Sequence, residues 1–328
     1  MTEKIRIGIV GYGNLGRGVE KALTLTPDLE LIGVFSRRDP GSITPVNPAT
    51  AVYPLDDIEQ FRDRVDVLVL CGGSRTDLPE QGPALAAIFN TVDSFDTHNK
   101  IPEYYAAVDG AARAAQRTAI ISVGWDPGLF SINRLFGEAI LPAGATYTFW
   151  GKGLSQGHSD AVRRVAGVKA GVQYTLPASD AIDRVRSGEQ PVLTTREKHV
   201  RECYIVLEPG AEADVVTEAI VTMPDYFADY DTTVHIISEQ ELARDHSHMP
   251  HGGFVIRSGE TGDDNRQIIE FSLKLQSNPE FTASVLVAYA RASFRLHQRG
   301  EHGAFSVLDI APGLLSPKSG AQLRKELL

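Results

Sequence analysis

The stretch "KIRIGIVGYGNLGRGVEKAL", Lys4 to Leu23, decides the fold. "KIRIGIV" alternates and is β-branched, which predicts a strand. Farther on, Val19, Ala22 and Leu23 fall at helical spacing. The turn that joins them, "GYGNLG", supplies Gly11, Gly13 and Gly16 in G-x-G-x-x-G spacing. Alone that spacing is weak, because glycine-rich turns are common. Placed after a strand, before a helix and at the head of a strand–helix series, it is a dinucleotide-binding fingerprint. Gly11 allows the tight turn, Gly13 the close approach of a pyrophosphate, and Gly16 the packing of helix on strand. The N–H groups of the helix N-terminus then face the phosphates.

Working outward, "LELIGVFSRR" reads as a second strand, and "VDVLVLCGG" as a strand buried on both faces. "GPALAAIF" looks helical, "NTVDSFD" forms a short strand, and "IPEYYAAVDGAARAAQR" is a helix with Pro102 near its start. "TAIISVGWDPG" is a further strand that runs into a polar loop. This alternation predicts a Rossmann-type α/β domain with a doubly wound parallel sheet. The pattern then changes. "GVKAGVQYTLP", "KHVRECYIVLE" and "TTVHIISE" read as strands, with a helix in "GAEADVVTEAIVTMP". These predict a second, α+β domain on an open mixed sheet. "FTASVLVAYARASFRLHQRG" is a long amphipathic helix stopped by Gly300. The expected division is residues 1–125 and 126–299, and the segment from about 300 to 328 is a candidate to return to the first domain.

Composition narrows the function. The 328 residues carry a formal charge of −10 and no long basic run, which argues against nucleic acid or an anionic membrane as partner. No apolar run reaches membrane-spanning length and the N-terminus lacks a signal-peptide pattern, so a cytoplasmic location is expected. Cys71 and Cys203 lie far apart and form no CxxC pair, which disfavours a disulfide framework or a thiolate metal site.

The second strand ends in Ser36, Arg37 and Arg38, where an NAD enzyme would carry an acidic residue; Asp39 comes late. Two guanidiniums and a hydroxyl suit a 2′-phosphate, so NADP is the expected cofactor rather than NAD. The small residues of "CGGS" (Cys71, Gly72, Gly73, Ser74) would let it lie across the strand ends. Asp96 in "VDSFD" and Asp126 in "VGWDPG" end strands of the same sheet, where ligands of open α/β folds bind. Two carboxylates near a nicotinamide suit a substrate bearing an amino group. Either aspartate taken singly reads as well as a turn or helix cap.

Together "GYGNLGR", "FSRR", "VDSFDTH", "GWDPGLFSINR", "FWGKGLSQGHSDA", "QYTLP", "MPDYF", "MPHGG" and "NPEFTAS" resemble the meso-diaminopimelate dehydrogenase family, from about residue 4 to 317. The resemblance implies reversible, NADP-dependent deamination of the D-centre of meso-2,6-diaminopimelate with release of ammonia. It implies a homodimer acting in lysine and cell-wall precursor synthesis. It implies cofactor contacts at Tyr12, Gly13, Asn14 and Leu15, at Ser36, Arg37 and Arg38, and along "CGGS". It adds Ser94, Phe95 and Asp96 of "VDSFD", and Val123, Gly124, Trp125, Asp126 and Pro127 of "VGWDP". Substrate contacts are implied at Asp96, Asp126, Trp150, Gln156, Gly157, Thr175, Arg201, His251 and Asn278.

Chemistry agrees with these roles. Arg201 can take a distal carboxylate bidentately, with Thr175, His251 and Asn278 as further donors, while Trp150 walls the near end. The reacting amine must lose a proton before hydride leaves its carbon. Asp126, helped by Asp96, is the expected catalytic group that orients or accepts it. The competing functions are an NADP-dependent reductase of dihydrodipicolinate or another cyclic imine, and a non-catalytic NADP sensor. Neither requires the distal anion clamp. His246, His248 and His251 cluster in "RDHSHMPHGG" without helical ligand spacing or a suitably placed carboxylate, so no metal is expected there. His251, beside a glycine pair that lets backbone approach a ligand, is expected to contact substrate. His246 and His248 are expected at the loop surface or in packing.

Overall fold

The computed structural model describes residues 4–328, apart from the side chain of Gln156. It divides into two compact units. One runs to Ile132 and resumes at Pro279; the other is Asn133–Asn278. The strands in chain order are β1 (Ile5–Val10), β2 (Leu29–Ser36), β3 (Val52–Pro54), β4 (Val67–Leu70), β5 (Asn90–Asp93) and β6 (Thr118–Ile120). The second unit holds β7 (Gly144–Trp150), β8 (Gly153–Leu154), β9 (Val168–Pro177), β10 (His199–Leu207), β11 (Asp231–Ile236), β12 (His251–Glu260) and β13 (Arg266–Leu275). The chain then returns to the first unit with β14 (Gly303–Phe305).

The first unit is a seven-stranded sheet in the order β14-β6-β5-β4-β1-β2-β3, with every neighbouring pair parallel. Strand order reverses at β1 and β4, the position where such sheets open a ligand crevice. The apolar runs are divided by the two-residue period of a strand. Ile7, Ile9, Val67 and Val69 enter one core with Val19 and Leu23, while Val10, Leu68 and Leu70 enter the other with Leu78, Tyr104 and Val108. Each such fully buried aliphatic side chain contributes roughly 1.5–3 kcal/mol.

The long helix Asn278–Gln298 belongs to this first unit, not to the second as the expected boundary at 299 had it. Its Ala283, Leu286, Val287, Tyr289 and Ala290 join the core of Ile7 and Val69. Arg291 fastens it further, with Nε 2.6 Å and Nη2 2.8 Å from the Asp28 carboxylate. The first junction lies within the helix Leu129–Ile140, a helix the sequence reading did not anticipate.

The second unit holds two sheets. A mixed one has the order β11-β10-β9-β8, with β10 and β11 parallel and the rest antiparallel. An antiparallel one has the order β13-β12-β7. The latter corrects the reading of the histidine segment: His251 is the first residue of a ten-residue central strand, not part of a loop. The glycine pair also has a different purpose from the one expected. A Cβ on Gly252 would stand 2.0 Å from the Leu273 carbonyl oxygen, and one on Gly253 2.1 Å from that of Phe149. Their φ of +145° and +151° and their missing side chains let β12 pass between its two neighbours. No helix among the described residues is long and apolar enough to cross a membrane.

Candidate functional site

Loops at the carboxyl ends of β1, β2 and β4 line a cleft of about 310 Å³ in the first unit. It brings together Gly11, Tyr12, Gly13, Ser36, Arg37, Arg38, Cys71, Gly72 and Gly73, all expected from the sequence. Gly11 turns the chain at φ +86°. A Cβ on Gly16 would stand 2.3 Å from the Gly11 carbonyl oxygen, so the helix can seat on the loop only with glycine there. Gly13 caps that helix without a side-chain bond, and a Cβ on it would meet nothing within 4 Å. That open space over a helix N-terminus fits a pyrophosphate.

At the end of β2, Arg38 reaches back to the Tyr12 carbonyl at 2.6 Å, and its N–H donates to Ser36 Oγ at 3.0 Å. Arg37 is paired with Asp77, whose other oxygen accepts from the Gly73 N–H at 2.7 Å. The Arg37 side chain is 64 % exposed, available to a phosphate arriving from solvent. Asp77, together with Leu55 and Gln81, lines the cleft without having been foreseen; no motif marks these three.

The Tyr12 hydroxyl is engaged within the protein. It donates to the buried Glu20 carboxylate and accepts from the Val46 N–H at 2.8 Å. Burial, reinforced by the Glu20 bond, pushes this phenol up to about 12. Glu20 also accepts from Asn47 N–H at 3.0 Å and from Thr50 Oγ1 at 2.6 Å. Burial alone would raise its pKa, but these bonds outweigh it, lower the pKa below the usual carboxylate value and hold the group ionised. Tyr12 thus lines the cleft while its hydroxyl pins the loop at Val46.

Asp96 lies exposed three residues past β5, with its N–H on Ser74 Oγ at 2.9 Å. Asp126 is half-buried beyond β6. That strand is shorter than expected, ending at Ile120, because Ser122 takes φ +57° and breaks the ladder. Phe95, Val123 and Trp125 are buried: Phe95 stacks on Tyr104 at 4.0 Å, and Trp125 meets Phe130 edge-on at 5.2 Å. Ser74 and Phe95 line a separate hollow of about 480 Å³ with Arg75, Thr97 and Lys100. Asn14, Leu15, Gly16, Ser94, Gly124 and Pro127 do not line the cleft around the glycine loop.

In the second unit two of the candidate substrate residues, Thr175 on β9 and Arg201 on β10, stand side by side. Arg201 stands opposite Thr175 in register and its Nη1 donates to the Thr175 hydroxyl. The guanidinium lies 3.9 Å from the Tyr230 ring centroid, an arrangement that suits a cation removed from water. Arg201 is only 7 % exposed. Trp150 stacks on His199 at 5.2 Å and donates its N–H to His199 Nε2 at 2.8 Å. Burial first, then the Arg201 charge, push both His199 and His158 down to about 4. Both imidazoles are therefore neutral at physiological pH, and the fixed positive charge of this site is that of Arg201. His158, His199 and Tyr230 were not foreseen. The alternation in "HVREC" would have put His199 on the face of Arg201, whereas Tyr230 carries no local signal.

His251 Nδ1 accepts the Gly252 N–H at 2.8 Å. Its ring occupies the space over Gly153, where a Cβ would stand 2.4 Å from Nδ1. Asn278 is tied to the same strand entry, its N–H donating to the Met249 carbonyl at 2.9 Å. Gly157, in the first turn of the helix Gln156–Arg163, is exposed. The Gln156 side chain lies outside what is described. Of the other two histidines, His246 bonds Tyr174 Oη through Nδ1 at 2.9 Å and packs on Tyr204, and His248 is exposed.

The cleft, the glycine loop and the paired arginines define a Rossmann-type dinucleotide-binding oxidoreductase fold, with the buried Arg201 and Thr175 in a separate second unit. Residues 124–277 match the family described as "Diaminopimelic acid dehydrogenase C-terminal domain". The chain is 66 % identical over 324 residues to the meso-diaminopimelate D-dehydrogenase of Lysinibacillus sphaericus, covering 99 % of each. Among solved structures, the C. glutamicum DAP dehydrogenase in complex with DAP superposes with a TM-score of 0.91 at 46 % identity, covering 100 % of both chains. An engineered D-amino acid dehydrogenase bound to NADP+ superposes at 0.85 and 45 % identity, covering 99 % of this chain and 100 % of that one. This chain belongs to the meso-diaminopimelate D-dehydrogenase family.

Proposed function

We propose that this chain catalyses the reversible, NADP-dependent oxidative deamination of the D-centre of meso-2,6-diaminopimelate. The products are L-2-amino-6-oxopimelate, which cyclises to tetrahydrodipicolinate, and ammonia. The observation that carries this reading is the identity of 66 % to a dehydrogenase of that name along essentially the whole of both chains. A cyclic-imine reductase or an NADP sensor need not carry the Arg201–Thr175 cradle. When bound, NADP supplies the hydride acceptor. Gly11, Gly13 and the helix beginning at Asn14 take its pyrophosphate, and Ser36, Arg37 and Arg38 its 2′-phosphate.

Asp126, with Asp96, orients the reacting ammonium and receives the proton it must lose before hydride can leave the same carbon. The resulting imine takes up water and releases ammonia. Arg201 takes the carboxylate of the far, L-configured centre, with Thr175, His251 and Asn278 as further donors. Because His158 and His199 stay neutral, they add no second charge to compete for that carboxylate. Trp150, Gln156 and Gly157 complete the substrate surface in this reading. The first unit is the NADP-binding domain and the second the substrate and dimerisation domain. The family resemblance also supports a cytoplasmic homodimer serving diaminopimelate and lysine synthesis.

The test is absorbance at 340 nm. NADP with meso-diaminopimelate should give a steady rise, and NADP with the L,L-isomer, which has no D-centre, should give none. Exhaustive chelation should leave the rate unchanged. No rise with the meso isomer, or an equal rise with L,L, contradicts the assignment. A rate lost on chelation and restored by zinc contradicts the reading of the histidines.

A further inference from the structure

Gln173 sits on β9 with 0 % exposure, and neither its side-chain oxygen nor its side-chain nitrogen has a hydrogen-bond partner. Its backbone is already committed. The N–H donates to Ser159 Oγ at 3.0 Å, and the carbonyl accepts from the Ser155 N–H at 3.1 Å. A fully buried carboxamide with both ends unmet is unusual, since buried polar groups are paired in the great majority of cases. One further unmet group lies on the same sheet face: Nε of Arg201. Register places Gln173 opposite Cys203 and Thr175 opposite Arg201. Gln173 and Arg201 are thus diagonal neighbours, a separation that long side chains span.

We infer that Gln173 is a positioning residue of the anion cradle: with the substrate carboxylate seated, its carboxamide oxygen accepts the Nε–H of Arg201, which has no acceptor in the ligand-free structure, and fixes which edge of the guanidinium meets the carboxylate. This rests on the role proposed above for Arg201 toward the far carboxylate of the substrate. The residue type fits the task. A glutamate here would pair with Arg201 and cancel the charge the substrate needs. A leucine or methionine would leave the Nε–H without an acceptor in the substrate complex as well. A glutamine supplies the acceptor and keeps the net positive charge, and its Nε2 stays available as a donor to the same anion.

The experiment uses the full chain with NADP and meso-diaminopimelate each varied at a saturating level of the other, comparing wild type, Gln173→Leu, Gln173→Glu, Arg201→Met and Gln173→Leu/Arg201→Met. Gln173→Leu should raise the KM for meso-diaminopimelate roughly 10-fold while kcat moves less than about 3-fold, with the KM for NADP unchanged. Gln173→Glu should raise that KM further, because its internal ion pair competes with the substrate. In the Arg201→Met background, Gln173→Leu should add less than about 2-fold, because the two residues act as one unit. A general packing role would instead repeat its full cost in that background. If Gln173→Leu does not fold, Gln173→Met keeps the chain length and carries the same expectation. Wild type without turnover overturns both this inference and the function it rests on. Wild-type turnover, a large Arg201→Met loss and a silent Gln173→Leu overturn this inference alone, as does an equal Gln173→Leu penalty in both backgrounds.

Discussion

Arg201→Ala is expected to lower kcat/KM for meso-diaminopimelate by roughly 30-fold or more. The side chain is nearly closed off from solvent, its Nη1 is on Thr175 and its face is on Tyr230. A substrate carboxylate delivered to that place leaves water and meets a single fixed charge. Without the guanidinium it arrives desolvated and unpaired, a loss on the order of 2–5 kcal/mol for a buried charge pair. The clamp also sets which end of a nearly symmetric molecule reaches the nicotinamide, so kcat should fall together with binding. The KM for NADP should hardly change, because the cleft of the glycine loop is built from other residues. Steady-state kinetics with both ligands varied decides it: a variant with near-wild-type kcat/KM removes the clamp from the account.

Replacing Arg37 and Arg38 together with alanine should raise the KM for NADP roughly 30-fold, on the scale of about 1.5–3 kcal/mol for one bond to a charged group. One such bond is a fair measure for the pair, because Arg37 is largely exposed and its attraction is screened. The same variant should change the KM for NAD by less than about 3-fold, since NAD has no 2′-phosphate. Removing Arg37 also leaves the Asp77 carboxylate without its partner beside the cleft, which further disfavours a phosphate. Equal effects on the two cofactors would show that the arginines serve the surface and not the 2′-phosphate.

The parallel sheet was legible because its constraints are local. Gly16 has no room for a Cβ, Gly11 needs a positive φ, and the run Val67–Leu70 is buried on both faces, so residue type at each point follows directly from geometry. Strand β12 was not legible for the opposite reason. It contains two glycines and the buried Arg257, which satisfies itself on the Leu141 and Pro142 carbonyls and on Thr146. Those residues read as loop until the neighbouring strands are known. The long helix was recognised as amphipathic, but which core its apolar face enters depends on distant partners such as Asp28. In the site, the Arg37–Arg38 pair and Arg201 were visible as charges at strand positions. Asp77 in the first unit, and His158, Tyr230 and Gln173 in the second, take their places only through pairing and packing, and nothing in their immediate sequence sets them apart.

The central claim is that the D-centre gives its hydride to NADP. Its most direct measurement is the transfer of deuterium from meso-diaminopimelate labelled at one α-carbon, followed by mass analysis of the reduced cofactor. Label at the D-centre should appear in the NADPH formed, one deuterium per turnover, while label at the L-centre should remain in the amino-oxopimelate product. Reduced cofactor carrying the L-centre label, or none from the D-centre, would contradict the account.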